Sequence, residues 1–259
     1  MSLRLTARWV FLLLLCGSQF ACVTTTESVF TEKASPDKAL DERVALARRY
    51  IGEENWEDAR RNLDLAREID ANSPGVHGAF GLLYQRTGEY ELAEEHFRKA
   101  IRLDSKQTRT RNNYAAFLID RKRFEEAEEQ LEYVVRDSLY GERARAFTFL
   151  GYTRLQLDDS AGAQEALERA LAMEPRDAFA LLEMAHLTFA ADDYSQARRY
   201  YEGYRKTVRQ QSARALWLGI RLARQSGNKD AEASYALALA NRFPNSPEHE
   251  AYEQSQSTE

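Results

Sequence analysis

The chain has 259 residues, with 36 Lys and Arg against 41 Asp and Glu, a formal net charge of −5. Its 12 Gly and 5 Pro are few for this length, which argues against turn-rich β-sandwiches and barrels and favours long helices. With 30% charged and 44% hydrophobic residues interspersed along the chain, collagen-like, multi-span membrane and wholly disordered classes are excluded, and no strongly basic patch for nucleic acid is expected.

Residues 1–8 carry Arg4 and Arg8 and no acid, and an unbroken apolar run follows from Trp9 to Cys16. Gly17, Ser18, Gln19, Phe20 and Ala21 then lead to Cys22. This is the three-part layout of a secretory signal peptide. Eight apolar residues span roughly 12 Å as a helix, too short for a bilayer core of about 30 Å. The small Ala21 before Cys22 resembles the lipobox of bacterial lipoproteins, with Gln19 where that family prefers Leu. The resemblance implies removal of residues 1–21 and acylation of Cys22. Val23, standing where an Asp would retain the protein, implies sorting to the outer membrane on its periplasmic face. Ordinary secretion, with Cys22 left as a free thiol, is the alternative. Two or more acyl chains hold a protein stably where one binds reversibly. Loss of Cys16 and lipidation of Cys22 leave no pair for a disulfide, so stability must come from packing. Residues 22–37, rich in Thr, Ser, Glu and Lys, read as a flexible tether.

A repeat then runs through residues 38–243. Ala59, Ala93, Ala127, Ala163, Ala197 and Ala231 recur at spacings of 34, 34, 36, 34 and 34. Twelve residues before each stands another small residue: Ala47, Gly81, Ala115, Gly151, Ala185 and Gly219. Four residues after each stands a large one: Leu63, Phe97, Leu131, Leu167, Tyr201 and Tyr235. The period and residue types resemble the tetratricopeptide repeat. This implies an all-α superhelix, an α-solenoid of six helix-pair repeats, each burying its apolar face only against a neighbour. Helices A and B are expected to cross closely at the small residues, with the large residue of helix B filling the gap toward the next repeat. The two extra residues fall in residues 137–143, DSLYGER, which read as a longer loop. Residues 244–259, with Pro244, Pro247 and a polar end, read as a polar, frayed C-terminal tail.

No catalytic constellation, metal set or phosphate loop is recognisable. The four histidines, His77, His96, His186 and His249, form no metal-binding motif, and no cysteine remains to join them. No enzyme activity, cofactor, metal or small-molecule substrate is therefore expected. What remains is a binding groove, lined in this fold mostly by helix A. The third repeat offers Arg109, Asn112, Asn113 and Ala116, and the fourth Phe149, Tyr152 and Leu155. The fifth offers Phe179, Leu182, His186 and Phe189, and the sixth Leu216, Trp217 and Ile220. An aromatic-lined groove suits an extended or helical peptide segment. Packing between repeats or under the tail is the competing reading for several of these side chains.

The stretch from Arg111 to Leu118, RNNYAAFL, followed by Arg123, Phe124, Glu125, Glu126 and Ala127, goes beyond the generic repeat. So do Leu139 with Tyr140, and Arg145, Ala146 and Phe147. With the lipobox and six repeats, these resemble the type IV pilus biogenesis lipoproteins, the pilotins of the pilus secretin. That resemblance implies a non-enzymatic scaffold, tethered through Cys22 to outer-membrane lipid. Its partner would be a secretin subunit, whose localisation and multimerisation it promotes. A lipoprotein of the outer-membrane β-barrel assembly machinery, or a periplasmic cell-wall enzyme regulator, is the alternative.

Overall fold

The computed structural model describes residues 35–256. Thirteen α-helices and no strand occur among them. The first pair is α1 (Pro36–Gly52) with α2 (Trp56–Ile69), the second α3 (Pro74–Thr87) with α4 (Tyr90–Leu103). The third is α5 (Thr108–Asp120) with α6 (Phe124–Arg136), the fourth α7 (Arg143–Gln156) with α8 (Ser160–Met173). The fifth is α9 (Ala178–Ala190) with α10 (Tyr194–Thr207), the sixth α11 (Ala213–Gln225) with α12 (Lys229–Arg242). A thirteenth helix, α13 (Pro247–Gln256), follows. The six expected helix pairs are thus present. The residues expected to carry the export signal and the Cys22 anchor lie outside the described residues.

Local chemistry sets the helix ends. Asn55, Ser73, Asp159, Asp177, Asp193, Ser212 and Asn228 each accept a hydrogen bond from the backbone N–H three residues on. Each so satisfies a donor that the first helical turn leaves unpaired. Every turn between helices A and B holds one residue in the left-handed region: Glu54, Gly88, Lys122, Asp158, Asp192 and Gly227.

The repeated alanines Ala59, Ala93, Ala127, Ala163 and Ala197 have no exposed surface. The small residue on helix A meets a partner beyond the expected one: at Gly151 the Ala163 backbone of helix B is close, but a side chain is closer. A Cβ on Gly81 would lie 2.6 Å from Cδ1 of Phe97, and one on Gly151 2.6 Å from Cγ of Leu167. The glycine therefore makes room for the large helix B residue of its own repeat. Phe97 also reaches the next repeat, with its ring centroid 5.7 Å from Tyr114 and 5.9 Å from Phe117. The same side chain thus fills both gaps, and the buried clusters run on from pair to pair.

Polar groups brace the stack from outside. Glu94 of α4 accepts hydrogen bonds from the Tyr114 hydroxyl at 3.0 Å and from Arg123 at 2.8 Å. Arg154 of α7 reaches back to Glu128 and Glu132 of α6 at 2.7 and 3.0 Å.

The C-terminal residues differ from the expected frayed tail. In α13 Tyr252 meets Trp217 edge-on at 6.4 Å, and Ser255 accepts a hydrogen bond from Arg224 at 2.9 Å. This helix covers the outer face of the sixth pair.

Candidate functional site

Helices A of successive repeats, α3, α5, α7 and α9, contact one another directly. The face they share holds a cavity of about 740 Å³. Ile119 of α5, Phe149 and Tyr152 of α7 and Phe179 of α9 supply its apolar walls. Phe124, Tyr152 and Phe179 follow one another edge to face, with centroids 6.3 and 5.8 Å apart. The Arg145 guanidinium lies 5.1 Å from the Phe149 ring centroid.

Gly141 and Glu142 of the long loop form one rim. That loop, residues 137–142, replaces the four-residue connections 104–107 and 174–177 of the neighbouring repeats. Its backbone is braced: Asp137 accepts from the Thr108 hydroxyl at 2.6 Å and from the Leu139 N–H at 3.1 Å. These two bonds hold the Asp137 carboxyl below the usual carboxylate range. Thr148 donates to Asp177 at 2.6 Å, and Asp177 also caps α9 at Ala180. The cavity is therefore built on fixed helices and a fixed loop, with an aromatic lining that a bulky apolar side chain can enter.

A second cavity of about 260 Å³ adjoins α7, α9 and α11. Leu155, Leu187, Phe189 and Ala190 give it apolar walls, and Glu183, His186, Arg214 and Arg221 give it charge and polarity. Arg214 and Glu183 form a two-pronged ion pair, one prong at 2.8 Å. Arg221 lies 4.1 Å from the Phe189 ring centroid, and Phe189 meets Tyr194 at 5.2 Å. Burial, with Arg214 and Arg221 nearby, pushes the His186 imidazole down to about 3, so it is neutral at pH 7.

The sequence-predicted residues divide. Phe149, Tyr152 and Phe179 come together in the larger cavity, and His186 and Phe189 in the smaller. Asn112 and Leu182 are buried at 5% and 9% exposure, so their register faces neighbouring helices and not the groove. Asn113 is half-buried and lines neither cavity. Leu216 and Ile220 are core residues under 2% exposed, and Trp217 packs beneath Tyr252 of α13. Sequence reasoning misses the rim residues Gly141, Glu142, Glu174 and Asp177; the two-residue expansion of the repeat is a signal for the first two, and nothing in the spacing marks the others. Nothing in the spacing marks Arg214 or Arg221. Among the described residues no set of three or more His, Cys, Asp or Glu is arranged to hold a metal ion. No helix among them is long and apolar enough to cross a membrane.

The tetratricopeptide-repeat family profile matches residues 75–107 and 144–177. The type IV pilus assembly protein PilF of Pseudomonas aeruginosa is 37% identical over 251 residues, covering 96% of this chain and 99% of that protein. The solved structure of Pseudomonas aeruginosa PilF superposes with a TM-score of 0.80 at 38% identity, over 85% of this chain and 99% of that one. The crystal structure of PilW, described as a widely conserved type IV pilus biogenesis factor, matches with a TM-score of 0.68 at 24% identity. It covers 83% of this chain and 98% of its own, and shares the fold.

Proposed function

Because the chain belongs to the tetratricopeptide-repeat family of the type IV pilus assembly protein PilF, we propose that it is a non-enzymatic, lipid-anchored periplasmic scaffold for the pilus secretin. It binds a secretin subunit on its A-helix face and promotes outer-membrane localisation and multimerisation of that subunit. The observation that carries this reading is the aromatic-lined cavity of about 740 Å³ on the A-helix face of a chain so related. Rigid aromatic side chains in a preformed concavity are the usual anchors of polypeptide recognition. Acylated Cys22 then confines the captured subunit to the membrane surface and raises its effective concentration there. The mechanism is tethering, and it requires no chemistry and no cofactor.

The test is the amount and location of assembled secretin in cells lacking the gene, and in the same cells carrying Cys22→Ala. Detergent-resistant multimers on an unheated gel, after membrane fractionation, report both. Multimers should vanish or remain in the inner membrane on deletion, and Cys22→Ala should restore little outer-membrane material. Unaltered secretin in the deletion strain would remove the secretin as client.

A further inference from the structure

We propose that the smaller cavity, between α7, α9 and α11, receives a carboxylate side chain of the bound polypeptide, held by Arg221 and His186. This rests on the reading of the A-helix face as a polypeptide-binding surface. Two groups that an acidic ligand can engage converge there. Arg221 has no carboxylate partner among the described residues; its guanidinium lies over the Phe189 ring at 4.1 Å, with the Tyr194 hydroxyl as its other electrostatic neighbour. The neighbouring Arg214 is already committed to Glu183 at 2.8 Å. His186 Nε2 is buried without a hydrogen-bond partner, and both side chains line the same space.

An orphaned imidazole nitrogen is costly to leave unmatched, and a half-buried guanidinium without an ion pair gains from one. A purely apolar occupant would supply neither, and a basic one would be repelled by Arg221, since Glu183 offsets the charge of Arg214. A carboxylate answers both. It accepts a charge-assisted bond from the guanidinium and a second bond from Nε2–H of the neutral imidazole. Leu155, Leu187 and Ala190 beside them suit the methylene stem of an aspartate or glutamate better than a free inorganic anion.

Geometry sets the spacing within the bound segment. Phe179 in the larger cavity and His186 in the smaller stand on α9, two helical turns or roughly 10 Å apart. An extended chain covers that in about three residues. The bound segment therefore carries an acidic residue about three positions from a large apolar one.

The test uses the full mature chain in detergent and two probes: a phage-displayed library of random twelve-residue peptides, and synthetic peptides tiling the periplasmic part of the pilus secretin. Selected peptides should carry Asp or Glu about three residues from an aromatic or aliphatic anchor. Replacing that Asp with Asn, or Arg221 with Gln, should weaken binding about 10- to 100-fold. In Arg221→Gln the Asp and Asn peptides should bind alike. The peptide substitution alone tests the idea even where Arg221→Gln fails to fold. No acidic preference, no selected peptide, or equal binding of Asp and Asn peptides to the unaltered chain overturns the subsite. Secretin peptides that need Tyr152 but ignore Arg221 overturn it too and leave the secretin reading standing. Selected acidic peptides with no secretin peptide bound would sustain the subsite and remove the secretin as client.

Discussion

Gly81 and Gly88, in α3 and at its end, resist a methyl group for different reasons. Gly88 has φ +86° and nothing within 4 Å of the position a Cβ would take, so only the left-handed backbone opposes Gly88→Ala. That costs about 1 kcal/mol. At Gly81 the backbone is ordinary helix, but the new methyl would sit 2.6 Å from the fully buried Phe97 ring. Overpacking there costs about 1–3 kcal/mol. Ala93→Leu, at a site with no exposed surface, belongs with the second kind and should lose a similar amount. Urea melts of the three variants should rank Gly88→Ala as the mildest; the reverse order would mean that Phe97 can swing aside.

A second argument at this scale concerns His77 and His96. His77 Nε2 lies 3.1 Å from the Ala71 carbonyl and so carries a proton. Its Nδ1, 3.1 Å from His96 Nδ1, is then the acceptor for the proton on His96. The bond needs His77 neutral, so that its Nδ1 can accept, and a proton on Nδ1 of His96. Burial lowers the affinity of both for a further proton, and His96 is pushed down to about 4. Lys99 and Arg67 add to the effect, while Asp70 beside His77 and Glu95 beside His96 oppose it. The unfolded histidines titrate near 6.5, so between about pH 6.5 and 4 the unfolded chain binds more protons. Stability is complete above that window and falls as pH drops through it. Melting temperature should therefore decline from pH 7.5 to pH 5. A chain carrying His77→Gln and His96→Gln should show a shallower slope; an equal slope would assign the effect elsewhere, His186 being next.

At the scale of elements, the site depends on a loop longer than its counterparts. The DSLYGER stretch was recognisable as a two-residue expansion, and the six-residue connection before α7 follows from it. What it does was not legible, because a loop's role depends on which helices it stands beside. Here it walls the larger cavity and leaves Leu139 93% exposed. Leu139→Ser should change stability by less than about 0.5 kcal/mol, since no packing is lost. Tyr152→Asp, on a half-buried aromatic at the cavity wall, should abolish partner capture while helical circular dichroism persists. Loss of the helical signal would place Tyr152 in the core. The division of predicted site residues has a related cause. Periodicity identifies helix A but not rotation about its axis to within one residue, so it treats Phe149 and Leu182 alike. Contacts between neighbouring A helices bury the second and leave the first at the cavity.

Across the whole described chain, the six pairs were legible because each crossing repeats one packing demand. A small residue opposes a large one, and the demand recurs every 34 residues with a single step of 36. The thirteenth helix escaped because it meets no such demand. PEHEAYEQSQ buries no residue fully, and its polar composition reads as a tail. Its start signal was nonetheless present: Ser246 precedes Pro247, and its hydroxyl accepts from the His249 N–H at 3.2 Å. In a stack stabilised by nearest-neighbour contacts, an end without a cap loosens first. Truncation after Phe243 removes Tyr252 from Trp217 and Ser255 from Arg224, beside a small core of Leu216, Ile220, Ala236 and Leu239. Hydrogen exchange should then quicken in α11 and α12, weakly in α9 and α10, and not in α3 to α6. The smaller cavity, which takes Arg221 from α11, would lose binding before the larger one, which draws nothing from that helix. Uniform exchange across all pairs would show that the stack opens as one unit and that α13 is an ornament rather than a cap.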